Sequence, residues 1–313
     1  MNILSDLFAK VRIVRNHLTM EGRMTEALRR IDGKLRLLLD HQLDIRAVHP
    51  AEGRLRLRQE ILLLILRIID TIAKRHGLQC WLAYGTLLGA VRHSGFIPWD
   101  DDLDVALFED DYEKLYPLLA SELPPFLVLE RWTSEKFPRL GIMHVMEPDS
   151  GAAVDLYPHL IVPGALFSSG RETQWERDYR SFFVNFARPY EHKPLTDHDR
   201  TTVRKWIETH RQGDGDESGV AASPEQTTLI PTGRVVFRES DVLPLTSIEF
   251  EGFRFSCPAK PNEILAKMYD AFNHFPSDAG VTNHGFGGKG ADARVLRMCI
   301  DRLHVALESM AKS

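Results

Sequence analysis

The apolar positions from Leu55 to Arg75 (LRLRQEILLLILRIIDTIAKR) run all round a helix instead of along one stripe. A helix of that kind is buried, and His76-Gly77 closes it as a C-cap. The next apolar run, Trp81 to Tyr84, predicts a short core strand, and Leu87, Leu88 and Val91 then fall at helical spacing. A turn at Ser94-Gly95 and the segment Phe96-Ile97-Pro98-Trp99 lead into Asp102-Leu103-Asp104-Val105, which alternates polar and apolar as a half-buried strand does. Downstream, the pattern predicts a helix over 110–119 and strands at 126–129, more weakly at 138–145, and at 153–158. Helices are expected over 175–186 and 201–210, followed by a mobile loop over 212–228, where Gly, Asp, Ser and Ala offer little to bury. Strands at 235–237 and 248–255 follow, the latter folded into a hairpin at Glu251-Gly252. A helix over 261–269, a glycine-rich segment over 284–290 that could form a lid, and an amphipathic helix through Leu296, Ile300, Leu303, Leu307 and Met310 complete the chain. Strands interleaved with helices give an α/β (α+β) fold class.

The front of the chain has a different rhythm. Leu7, Val11, Val14, Leu18, Leu28, Ile31, Leu35, Leu38 and Ile45 step by threes and fours, as in a coiled coil, but Gly22, Gly33 and Gln42 break the stripe. Residues 1–50 therefore read as a helical extension preceding a domain over 51–313. The stripe either pairs with a second copy, giving a homodimer, or packs on its own domain; the pattern allows both.

Charge separates the same two regions. Residues 1–76 hold 15 Lys/Arg against 9 Asp/Glu, and the remainder holds 24 against 35. An acidic body argues against nucleic acid as a partner, whereas the basic front end suits a peripheral, anionic membrane surface. The greasiest stretch, Ile61 to Ile69, is nine residues interrupted by Arg67, short of the roughly 18–20 needed to span a bilayer. No signal peptide is expected within Met1–Met20, which carries Asp6, Lys10, Arg12 and Arg15. Cys80, Cys257 and Cys299 have no metal-binding or disulfide spacing. The expected compartment is cytoplasmic.

Candidate chemistry concentrates between Gly85 and Asp104. Four carboxylates fall in five residues: Asp100, Asp101, Asp102 and Asp104. Such a run is commonly a solvated turn, but this one is set in apolar sequence on both sides. On a strand, Asp102 and Asp104 share one face about 7 Å apart, where they repel unless a cation lies between them. Hard oxygens in that arrangement suit Mg²⁺, or Mn²⁺ in its place. Gly85-Thr86 would open a helix beside them, with backbone N–H groups suited to phosphate. Asp155 is a single acid in the apolar run Ala153-Val154-Asp155-Leu156-Tyr157-Pro158, and such a carboxylate needs either a basic partner or a metal.

The string YGTLLGAVRHSGFIPWDDDLDV, residues 84–105, resembles the signature of the LicD/fukutin family almost residue for residue. That family contains phosphocholine transferases of bacterial surface polysaccharides and ribitol-phosphate transferases, within the nucleotidyltransferase-fold superfamily. The resemblance implies a small mixed sheet of the nucleotidyltransferase type, backed by helices. It implies that Asp102, Asp104 and Asp155 are the catalytic, metal-holding carboxylates. It also implies that Gly85, Thr86, Arg92, His93, Asp101 and, more loosely, Arg139 lie toward substrate. The expected activity is metal-dependent transfer of a phospho-substituent, phosphocholine or a polyol phosphate, from a CDP-linked donor to a hydroxyl of a glycan or lipid-linked glycan acceptor. Nucleotidyl transfer with release of pyrophosphate, and a non-catalytic scaffold of a glycan-synthesis complex, are the alternatives. The gap between Thr86 and Asp102 is longer than in the superfamily pattern, and Tyr269-Asp270 lacks the glycine expected between them.

Overall fold

The computed structural model describes residues 44–132, 142–163, 218–221, 236–269, 272–275 and 291–312. The chain divides into two units, one of residues 1–48 with 273–281 and one of residues 49–272 with 282–313. In the first unit the described part includes a short 3-10 turn, Ile45–Ala47, whose preceding Asp44 carboxylate accepts from the Arg46 amide at 2.9 Å. The coiled-coil stripe of residues 1–43, Arg139, the helices expected over 175–186 and 201–210, and the glycine-rich segment at 284–290 lie outside the described residues.

The second unit is organised on one long helix, α1 (Gly53–Arg75), which ends at His76 with Gly77 at φ 69°. Its apolar surface is buried nearly all round, including Ile61, Leu62, Ile65, Ile68, Ile69 and Ile72. Next come β1 (Cys80–Leu82), α2 (Tyr84–His93), β2 (Leu103–Phe108) and α3 (Glu109–Glu122). They are followed by β3 (Val128–Trp132), β4 (Ile142–Glu147) and β5 (Ala152–Pro163). The C-terminal part contributes β6 (Ser218–Ala221), β7 (Val236–Arg238), α4 (Glu239–Val242), the hairpin β8 (Thr246–Phe250) and β9 (Phe253–Cys257), α5 (Pro261–Met268) and α6 (Ala293–Met310).

The sheet order is β1-β2-β5-β4-β3, with β6 and β7 continuing from the far end of β5. Only β2 and β5 run parallel among these pairs; β1–β2, β4–β5, β3–β4, β5–β6 and β6–β7 are antiparallel. This is the small mixed sheet backed by helices that the sequence implies. Leu103, Val105, Leu107, Val154 and Leu156 alternate along β2 and β5 and are at most 1% exposed, so one side of each strand is core. The helices α1 and α3 pack on this sheet, and α6 covers α1 through Leu296, Cys299, Ile300 and Leu303. Asp292 caps α6 by accepting from the Arg294 and Val295 amides.

One local expectation changes. The loop expected over 212–228 contains β6, because Ser218–Ala221 completes a backbone ladder between β5 and β7. Such a ladder needs N–H and C=O groups and no apolar side chains, so composition alone does not reveal it. The helix after β1 begins at Tyr84, itself at φ 47°, so Gly85 and Thr86 occupy its first turn. The hairpin turn falls where expected, with Glu251 at φ 52° and Gly252 at φ 77°. Cys80, Cys257 and Cys299 are buried thiols outside any disulfide.

Gly89 lets α2 close on the loop that follows it. A Cβ there would lie 2.5 Å from the Gly95 carbonyl oxygen and 3.1 Å from the Ile97 amide nitrogen. Intrinsic propensity favours alanine over glycine in a helix by about 1 kcal/mol, so the sign of the effect separates packing from propensity. Gly89→Ala is expected to destabilise the protein by about 1–3 kcal/mol, as overpacked sites do, read from the urea midpoint at unchanged slope. A midpoint at or above that of the parent protein contradicts this packing.

Candidate active site

The register of the one parallel pair fixes the centre of the site. Asp104 on β2 is the direct partner of Asp155 on β5, and neighbouring strands lie about 4.8 Å apart. The two carboxylates therefore stand side by side on one face, with Asp102 two residues before Asp104. Asp104 is 8% exposed. Burial and then the charges of Asp102, Asp155 and Asp100 drive its carboxyl well above the usual range, against a hydrogen bond from Tyr157. Burial, with Asp102 next to it, pushes the Asp100 carboxyl up to about 9.

Tyrosines close around these acids. Burial raises the hydroxyls of Tyr84, Tyr157 and Tyr269, and the Asp104 charge raises each further. Behind them, the Tyr84 hydroxyl lies 3.0 Å from Nε2 of His159, whose pKa burial lowers to about 3. The ring stays neutral. Asp155 has a different neighbour: Nδ1 of His144 on β4 lies 2.6 Å from its Oδ1.

The acidic loop is held by its backbone from two sides. Gln59, 1% exposed on α1, donates to the Asp100 carbonyl at 2.9 Å and to that of Ile97 at 3.4 Å. Arg58 donates from Nε to the Asp101 carbonyl at 2.7 Å. From the other side, Glu251 at the tip of the β8–β9 hairpin accepts the Phe96 amide at 3.0 Å and pairs with Arg56 at 2.6 Å. The Glu251 amide in turn donates to the Ser94 carbonyl at 2.9 Å.

The residues expected to face substrate separate into different roles. Gly85 is in the first turn of α2, and a Cβ there would lie 3.2 Å from Oδ2 of Asp100, so the position opens onto the acidic cluster. The Thr86 hydroxyl accepts the Asp104 amide at 2.7 Å and ties α2 to β2. Arg92 is 7% exposed and donates to Nε2 of His93 at 2.9 Å and to the Phe272 carbonyl at 2.8 Å. Burial lowers its pKa to about 10, opposed by Asp100. Arg92 and His93 thus bind the end of α2 to the segment after α5. Asp101, expected toward substrate, is 1% exposed in this structure. Its charge lies against Arg58, because the loop turns back toward α1 at that point.

The carboxylates fit a hard divalent cation such as Mg²⁺. The charges that act most strongly on Asp104 are those of Asp102, Asp155 and Asp100, all acids. A tighter three-residue cluster, Glu147, Asp149 and Cys299, has its candidate ligand atoms within 4.8 Å of one another. There Arg302 already pairs with both carboxylates, and burial raises the Cys299 thiol to about 12, so it is no thiolate ligand. The oxygens of Asp102, Asp104 and Asp155 do not all lie that close to one another, so holding one ion at about 2.0–2.1 Å would draw these side chains together.

Residues 77–211 match the family model described as LicD/FKTN/FKRP, nucleotidyltransferase domain. The matched stretch, under half of the chain, is similar to a LicD domain. The Lipopolysaccharide cholinephosphotransferase LicD of Haemophilus influenzae is 45% identical over 68 residues, 22% of this chain and 26% of that protein. The Ribitol 5-phosphate transferase FKRP of Homo sapiens is 30% identical over 93 residues, 29% of this chain and 19% of that protein. The chain therefore spans about a quarter of the length of the first relative and about a fifth of the second.

The matched stretch contains the carboxylates, Gly85 and Thr86, but much of their frame lies outside the matched residues. Arg56, Arg58 and Gln59 come before it, and Glu251, Tyr269 and Phe272 come after. Sequence reasoning passed over Arg56, Arg58, Gln59 and Phe272. Gln59 carried a signal, as a polar residue in a helix otherwise apolar all round, whereas Glu251 was legible only as a turn residue. Replacing Gln59 with leucine would leave the part-buried Asp100 carbonyl short of a donor, at about 1–3 kcal/mol, while the Ile97 carbonyl keeps the Asp100 amide at 2.9 Å. Gln59→Leu is expected to lower the thermal midpoint accordingly, and an unchanged midpoint would show that the loop is held without it.

Proposed function

We propose that this protein is a LicD-type phosphotransferase that moves a phospho-substituent from a CDP-activated donor to a hydroxyl of a cell-surface glycan. The observation that carries this reading is the pairing of Asp104 with Asp155 across the parallel β2–β5 ladder, inside the LicD-like stretch. The printed activities of the two relatives are transfer of cholinephosphate and of ribitol 5-phosphate, which supports phosphocholine or a polyol phosphate as the transferred group.

In this mechanism Asp102, Asp104 and Asp155 would hold Mg²⁺, or Mn²⁺ in its place. The cation, when bound, would neutralise donor phosphate charge and lower the pKa of the attacking hydroxyl. The chain's own residues do the rest. Gly85 keeps the mouth of α2 clear beside Asp100, leaving backbone N–H groups for phosphate oxygens. Thr86 fixes the Asp104 backbone, and Tyr157 donates to its carboxylate. The bond from phosphorus to the bridging oxygen breaks, the acceptor oxygen bonds to that phosphorus, CMP departs, and the acceptor proton passes to solvent.

No helix among the described residues is long and apolar enough to cross a membrane. We place the reaction at the cytoplasmic membrane face, reached peripherally through the basic residues of the first 47, where pairing of two chains would double the charge facing the lipid.

The test is incubation of the purified protein with a panel of CDP-linked donors and glycan acceptors. The expected result is acceptor-dependent CMP, lost at least about 100-fold in Asp104→Asn while that variant's thermal midpoint without metal holds or rises. The rise would follow from removing a charge that its neighbours repel. Release of pyrophosphate from a nucleoside triphosphate in place of CMP, or near-normal turnover by Asp104→Asn, overturns the proposal.

A further inference from the structure

Asp155 stands in a row of directly paired positions that crosses the sheet. Glu130 on β3 pairs with His144 on β4, His144 pairs with Asp155 on β5, and Asp155 pairs with Asp104 on β2. Directly paired residues point to the same face, so Glu130, His144, Asp155 and Asp104 follow one another along one face. Within this row the His144 ring is anchored close to its neighbour. Its Nδ1 lies 2.6 Å from Oδ1 of Asp155, and its side chain is 12% exposed. An ionised carboxylate only accepts, which assigns the bonding proton to Nδ1.

A carboxylate on a strand can rotate about its last torsion, which is broad and roughly two-fold. The bond from His144 removes that freedom at Asp155. It engages Oδ1 and leaves Oδ2 as the oxygen not taken by the imidazole. Tyr157 acts in the same manner on Asp104, donating to it from the other paired strand. Each of the two paired carboxylates is thus oriented by a neighbour that is not itself one of the acids.

We infer that His144 is a positioning residue, holding the Asp155 carboxylate in the orientation that lets it share a divalent cation with Asp104. The inference rests on the metal reading proposed above. Its contribution should appear in cation affinity, since partners that orient metal-binding carboxylates typically contribute about 10–100-fold.

The experiment titrates Mn²⁺ into the parent protein and into His144→Asn, His144→Gln and His144→Leu, by calorimetry or by the electron paramagnetic resonance of free Mn²⁺. Thermal midpoints are recorded alongside. Asparagine places its amide nitrogen near the position of Nδ1, and glutamine places it near Nε2. His144→Asn is therefore expected to bind within a few-fold of the parent, whereas His144→Gln and His144→Leu weaken by about 10–100-fold. If His144→Leu does not fold, the comparison of Asn with Gln decides alone. Equal affinity in Gln and parent, or equal loss in Asn and Gln, overturns the positioning role. A parent protein that binds no Mn²⁺ overturns the metal reading, and this inference falls with it.

Discussion

The structure depends on keeping like charges close together. Asp104 and Asp155 are adjacent because β2 and β5 run parallel with those two residues in register, and Asp102 and Asp100 add to the same field. Left to themselves, such carboxylates would move apart or take up protons. They are held instead by a frame whose bonds go mostly to backbone. Thr86 takes the Asp104 amide, Gln59 and Arg58 take the carbonyls of the acidic loop, and Glu251 takes the Phe96 amide. These bonds to backbone do not themselves draw on the carboxylate groups of Asp102, Asp104 and Asp155, which suits a site for phosphate and a cation.

That frame comes from both ends of the second unit. The LicD-like stretch supplies the acids, but α1 precedes the matched residues and the β8–β9 hairpin follows them. The tip of the hairpin fits there because Gly95 has no side chain: a Cβ at that position would meet the Glu251 carboxylate. The glycines of the signature thus serve packing as well as chemistry. Gly89 admits the loop, Gly95 admits Glu251, and Gly85 alone opens toward the acidic cluster.

Much of this was legible in the sequence because the physics was local. The all-round apolar α1, the lone acid in the β5 run and the Glu251-Gly252 turn each follow from short-range pattern, and each matches the structure; the strand expected from Asp102 begins at Leu103 and is buried on both faces. What escaped was long-range or lacked a side-chain signature. Asp101, expected toward substrate, is 1% exposed with its charge against Arg58. The bond from Arg92 to the Phe272 carbonyl joins residues 180 apart in the chain. The β6 strand pairs with β5 and β7 in a backbone ladder that composition does not announce. His144 carries no pattern of its own until the register places it beside Asp155.

The central claim is that the Asp104–Asp155 pair is a cation site built by strand register. Crystals grown with Mn²⁺ and measured at the manganese absorption edge test it directly. The account predicts an anomalous peak in contact with carboxylate oxygens of both Asp104 and Asp155. A peak only at Glu147, Asp149 and Cys299, or none at the paired aspartates under saturating Mn²⁺, would contradict it.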